Sequence, residues 1–250
     1  TVDRVVSEIL EDSNDYWSTE NSNKDSKLLT TQRDYMAGAI STDIMRRKIL
    51  PKHLVEAHDN GILHIHDMDY VSMRMYNCCL INLEDMLQNG TVISNVKIDK
   101  PHKFSTACNI ASQVIAQVAS SQFGGQSITL GHLSPFVEET RKTFRNKFPN
   151  ASEGLLNDMV RSDIEAGIQT LQYQVLTLMT TNGQAPFLTV FMNLTDVEDG
   201  SQREDLAMCI EEMLKQRIQG VKNTDGVYIS PAFPKLIYAL DECNRSEERR

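Results

Sequence analysis

Cysteine, tryptophan and positive charge are all scarce in this chain of 250 residues. Its five cysteines, at positions 78, 79, 108, 209 and 243, are odd in number and show no disulfide-scaffold rhythm. That excludes a small secreted fold stapled by cross-links and leads to the expectation of free thiols in a reducing compartment. Lys and Arg total 25 against 34 Asp and Glu, a formal net charge of −9. A nucleic-acid surface needs a cationic excess on one face, so nucleic acid is not expected as a partner; nucleotides bound one at a time stay open. No apolar run reaches the length that crosses a bilayer, and Thr1 opens a polar, acidic stretch rather than a signal peptide. The expectation is a soluble, cytoplasmic chain with no membrane partner. The six histidines form no H-E-x-x-H or similar zinc pattern, so no metal site is expected.

What is present is ordinary globular composition, 40% hydrophobic and 24% charged, enough for one large domain or two small ones. The chain begins without Met and stops in "DECNRSEERR", directly after the proline-punctuated "GVYISPAFPKLIYAL". Both ends read as cuts in a longer polypeptide.

Helical spacing opens the chain at Val5, Ile9 and Trp17, followed by the turn-rich link "STENSNKDSK". A helix is expected from Leu28 to Arg47, and a second opened by Pro51 and closed by Gly61. "ILHIHDMDYV" alternates as a strand should, which puts His64 and His66 on one face. "NCCLINL" reads as a further strand, "NGTVISNVKI" as a loop with a short extended piece, and "FSTACNIASQVIAQVASSQF" as a close-packing helix ended by Gly124 and Gly125. Two more helices are expected at about 134–147 and 153–179, then a strand in "NGQAPFLTVFMNL", a helix in "REDLAMCIEEMLKQRIQG", and strand followed by helix in "GVYISPAFPKLIYAL". This alternation predicts an α/β fold with parallel pairing.

Four places could carry chemistry. Cys78 and Cys79 are adjacent on a strand, so only one of them can face a given cavity; the plainer reading treats buried Cys as a small hydrophobe. His64 and His66, with Asp67 and Asp69 beyond, suit hydrogen bonding to a polar ligand as well as a solvated strand end, and they lack a third metal ligand. The glycines of "SSQFGGQS" are either a helix cap or a place where backbone amides approach a phosphate. "TTNGQAPF" is a turn unless another strand end converges on it. Cys108 and Cys209 read as core, and Cys243 lies in the polar tail.

The stretches "TTQRDYMAG", "LHIHDMDY", "NCCLINLEDML", "IAQVASSQFGGQS", "TTNGQAPFLTV" and "ISPAFPKLIYAL", in this order, resemble the catalytic subunit of the anaerobic, class III, glycyl-radical ribonucleoside-triphosphate reductases, from about residue 20 to 240. The resemblance implies part of the ten-stranded α/β barrel shared by ribonucleotide reductases and glycyl-radical enzymes, with N-terminal and dimer-interface helices. It divides the chain into an N-terminal helical segment, 1–60, and the first half of the barrel, 61–250. It implies reduction of ribonucleoside triphosphates to deoxyribonucleoside triphosphates, with formate as reductant.

In that family a cysteine on the first barrel strand donates a hydrogen atom to the substrate radical. Of Cys78 and Cys79, the motif favours Cys78 for this role and puts Cys79 in packing. His64, His66, Gln126, Ser127, Asn182 and Gln184 are then expected around the substrate. Lys103, Gln113, Gln117 and Lys142 are expected at a deoxynucleoside triphosphate effector site, because a triphosphate needs cations and a base needs amides. The resemblance further implies a homodimer and a radical S-adenosylmethionine/iron–sulfur activating enzyme. The glycyl radical, the thiyl-radical cysteine and a C-terminal zinc site are expected beyond residue 240, so these residues should bind no cofactor themselves and should be inactive alone, with sheet edges open to association. Two rival readings stay open: an effector-binding and dimerisation module without catalysis, and a glycyl-radical enzyme of the formate- or pyruvate-lyase type.

Overall fold

A computed structural model of the chain describes Val5, Ser7, 29–72, Tyr76, 78–121, 125–178, Thr180, 185–198, 200–241 and Asn244. Among these residues the chain forms two compact units. The first comprises 1–77, 120–123 and 179–185, and the second comprises the rest.

In the first unit, α1 (Leu29–Ile44) runs on through a π turn, Met45–Ile49, and α2 (Lys52–Asp59) follows Pro51. Pro51 lacks the amide that a first helical turn leaves unbonded anyway, so it starts a helix at little cost. The strand expected over "ILHIHDMDYV" is absent. Here the chain folds back on the end of α2: Ile62 N donates to Ala57 O at 2.9 Å, and Ile65 N to His58 Nδ1 at 3.2 Å. Asp67 then turns left-handed at φ 54°, which ends any extended run, and a 3-10 turn, Met68–Tyr70, packs against α1. Gly38 permits that packing, since a Cβ there would lie 3.3 Å from the Asp69 side chain.

The second unit is built on a parallel sheet of four strands: β1 (Cys78–Leu80), β4 (Gly125–Thr129), β5 (Leu188–Met192) and β8 (Lys235–Tyr238), side by side in that order. Neighbours in the sheet are also successive in the chain, apart from two short hairpins, β2 (Thr91–Ile93) with β3 (Val96–Ile98) and β6 (Val221–Lys222) with β7 (Tyr228–Ile229). The expected α/β class with parallel pairing is therefore observed. "GQSIT" is a strand where a glycine cap was expected, and "KLIY" is a strand where a helix was expected. The "VISNVKI" piece closes as a hairpin through Ser94 and Asn95, both at positive φ.

Helices fill the crossovers. α3 (Leu83–Gln88) is capped by Asn82, α5 (Pro135–Lys147) opens on proline, α6 (Glu153–Thr177) is capped by Ser152, and α4 (Phe104–Ser121) and α7 (Ser201–Gln219) complete the layer. Phe104, Phe136, Ile168, Leu171 and Leu206 meet Leu188, Val190 and Met192 of the sheet in one core. α4 lacks its own cap residue, and α6 supplies one. Asp163 accepts from Ser105 N at 3.1 Å and Ser105 Oγ at 2.6 Å, while Thr140 Oγ1 accepts from Phe104 N at 2.7 Å. The carboxylate thus faces the positive end of the helix.

Candidate active site

Register fixes which side chains share a face. Cys78 pairs with Gly125, Leu80 with Ser127, Ser127 with Thr189, and Thr189 with Lys235. Thr129, Phe191 and Ile237 form the next row. These side chains stand on the face opposite the helices, and that face is open: Leu80 is 84% exposed, Ile237 44% and Phe191 38%. Cys78 is exposed there. Cys79, one residue on, points to the other face and packs against the core.

Phe187 lies over the open face beside Cys78, because a Cβ on Gly125 would meet its ring at 3.5 Å. Its ring stacks tilted on Phe233 at 4.6 Å, and the Lys235 ammonium sits 4.6 Å from the Phe187 centroid. Entry into β8 is held from α7, where Arg217 donates to Pro231 O at 2.8 Å and also to Pro234 O. Burial pulls the Arg217 pKa down from its ordinary value.

The other expected site residues divide. Ser127 shares the open face with Cys78, whereas Gln126 is buried beneath it, 1% exposed. With its amide oriented to satisfy both partners, Gln126 Nε2 donates to Ile115 O and Oε1 accepts from Ala119 N, each at 3.1 Å. That amide is committed to α4, so Gln126 is a link between strand and helix and does not share a face with Cys78. Asn182 and Gln184 lie outside the described residues.

His64 and His66 belong to the first unit and meet each other, His64 Nε2 standing 3.2 Å from His66 Nδ1 and His66 Nε2 3.2 Å from Asp67 Oδ1. Gln113 and Gln117 are exposed one turn apart on α4. Lys103, before the start of that helix, lies 4.7 Å over the Phe144 ring, and Lys142 approaches Glu139 at 3.5 Å. Ten residues of helical rise, about 15 Å, separate Lys103 from Gln113, so the four do not converge on one point. Cys108 and Cys209 are buried, and burial pushes both thiols well above their ordinary pKa, helped at Cys108 by Asp163 and at Cys209 by Cys108 and Asp205. Cys243 is outside the described residues. Among the described residues no three His, Cys, Asp or Glu side chains are arranged to hold a metal ion, and no helix is long and apolar enough to cross a membrane.

The family profile described as "Anaerobic ribonucleoside-triphosphate reductase" matches residues 20–249. The chain belongs to that family. It is 34% identical to the anaerobic ribonucleoside-triphosphate reductase of Enterobacteria phage T4, over 97% of this chain and 40% of the relative. It is 38% identical to the Escherichia coli K12 reductase, over 93% of this chain and 32% of the relative. The chain thus spans 32–40% of the length of these curated relatives. In fold it is similar to the crystal structure of the Thermotoga maritima anaerobic ribonucleotide reductase with dATP bound in the specificity site, at TM-score 0.57, 16% identity, and coverage of 96% of this chain and 40% of that one. A second reductase structure from that organism, in complex with dATP and CTP, gives TM-score 0.51 at 17% identity over 74% of this chain and 32% of that one.

Sequence reasoning singled out neither Phe187 nor Lys235, which the structure brings to the Cys78 face. The signal was present in the strict alternation of "FPKLIY", which places Lys235 and Ile237 on one face of a strand. It was read instead as the start of a helix, because Leu, Ile, Tyr, Ala and Leu make an apolar run that suits either element.

Proposed function

We propose that this chain is part of the catalytic subunit of an anaerobic ribonucleoside-triphosphate reductase, acting in the cytoplasm, and that Cys78 is its substrate-facing thiol. The observation that carries the reading is the placement of one of two adjacent cysteines, exposed, on the uncovered face of a parallel sheet whose other face packs on helices. A sheet wound in one direction with all its helices on one side is the layout that a closed barrel requires. A barrel completed by chain beyond these residues would turn Cys78 inward, toward a ribonucleotide.

In that setting the Cys78 S–H bond supplies a hydrogen atom to the substrate radical as the 2'-hydroxyl is lost, and formate is the overall reductant. Cys79 stays in the core and takes no part. A hydrogen-atom donor acts as the thiol, so no activating base beside it is needed. Ser127 and Thr189, in the next row, offer hydroxyls to the ribose. His64 and His66 are proposed on the substrate side through the family pattern alone. A glycyl radical, expected beyond residue 240, would supply the oxidising equivalent.

Gln113 and Gln117 lie exposed one turn apart on α4, which favours the effector and dimer reading for that helix. The dATP of the Thermotoga maritima structure supports a deoxynucleotide at such a site. The test is ribonucleotide reduction by the full-length, activated polypeptide. Cys78→Ser is expected to lower turnover on the order of a thousandfold or more, and Cys79→Ser to keep it within about tenfold, its effect passing through packing. The reverse ranking would overturn the assignment.

A further inference from the structure

Across the four strands of the sheet, Lys235 is the one charged side chain among the described residues of the open face; its companions are Cys78, Leu80, Gly125, Ser127, Thr129, Thr189, Phe191 and Ile237. No carboxylate among the described residues pairs with it; in the same unit Lys100, Arg141, Lys142 and Lys215 have acidic partners, while Lys103, Lys147 and Lys222 rest, as it does, on aromatic rings but lie off this face. Its ammonium rests on two rings, 4.6 Å from the Phe187 centroid and 5.8 Å from that of Phe233. Phe187 in turn covers Gly125, the register partner of Cys78. This contact chain holds the ammonium no more than about 15 Å from the thiol, given the spacing of adjacent strands. Ser127 and Thr189 lie between, in the same row as Lys235.

We propose that Lys235 is the anion-binding residue of the Cys78 face, taking an oxyanion of a reactant bound there, the ribonucleotide or its reductant. An ammonium held over aromatic rings keeps donors available on the side away from the rings, and the rings restrict its position without neutralising it. An oxyanion, phosphate or carboxylate, is the chemical class that completes such a site. The hydroxyls of Ser127 and Thr189 line the way from that anion to the thiol. The reading rests on the reductase function proposed above and adds to it the residue that orients the reacting partner. Were Lys235 only covering the rings with its stem, an uncharged side chain of similar length would serve equally well.

The experiment compares wild type, Lys235→Met and Lys235→Arg in the full-length polypeptide, by equilibrium binding of a ribonucleoside triphosphate and, separately, of formate, each at several salt concentrations. Met keeps the apolar contact with Phe187 and Phe233 and removes the charge; Arg keeps the charge. The expected result is at least about a tenfold weaker Kd for one of the two ligands in Lys235→Met, as for loss of a charge-assisted contact, with Lys235→Arg within about threefold of wild type and unfolding midpoints unchanged in both. Loss confined to the triphosphate assigns a phosphate, and loss confined to formate assigns its carboxylate; either supports the proposal. Unaltered binding of both ligands by Lys235→Met overturns the proposal while leaving the reductase reading in place. Failure of wild type to bind either ligand overturns both.

Discussion

Cys78 and Cys79 share a peptide bond but face opposite ways, and their surroundings differ accordingly: one thiol is open to solvent, the other lies against the core. That much was legible from alternation alone, because adjacent residues on a strand cannot face the same way. Which of the two was exposed depended on where the helices lay, and the residue pattern of "NCCLINL" holds no such information. Gln126 shows the same limit. It follows paired glycines and looked available to a ligand, yet register puts it in line with Cys79, where burial requires that its amide be satisfied by α4. The two deeply buried thiols carry a consequence for stability. With the pKa of Cys108 and Cys209 raised in the folded chain, the unfolded chain releases protons first as pH climbs past the ordinary thiol value of about 8.5. Their contribution is complete below that value and lost above it, by up to about 1.4 kcal/mol per pH unit for each thiol. Urea unfolding at pH 7.5 and 9.5 should show the loss, and Cys209→Ala should flatten it. A slope unchanged by that substitution would count against the burial argument.

At the scale of elements, α4 and α6 are held together by polar capping and by close approach. A Cβ at Gly167 would lie 2.7 Å from the Phe104 ring and 3.1 Å from the Ser105 Cα, so neither neighbour can yield cheaply. Gly167→Val is expected to cost about 1–3 kcal/mol through overpacking, and Asp163→Ala a similar amount by leaving the Ser105 amide and hydroxyl without their acceptor. Chemical denaturation measures both; a midpoint unmoved by either substitution would contradict this account of the interface. Gly167 was not singled out in the sequence, since a lone glycine in a helical pattern has no partner in view. Helices with strong periodicity were legible to within a few residues. Short strands were not: "GQSIT" opens on glycine and two polar residues that read as a turn, and "HIHD" alternates as a strand does while its neighbours bond it to the end of α2 and Asp67 turns left-handed.

For the molecule as a whole, the parallel order of β1, β4, β5 and β8 collects Cys78, Ser127, Thr189 and Lys235 on one face, although they come from segments more than 150 residues apart in sequence at the extremes. In the barrel proposed above, this is the face that would enclose the substrate. The most direct measurement of the central claim is alkylation of the full-length polypeptide by iodoacetamide, followed residue by residue by peptide mass spectrometry, with and without a ribonucleoside triphosphate. The account predicts that Cys78 is modified well before Cys79, Cys108 and Cys209, and that the nucleotide slows Cys78 at least about tenfold by occupying its face. Preferential labelling of Cys79, or labelling of Cys78 that saturating nucleotide leaves unchanged, would contradict it.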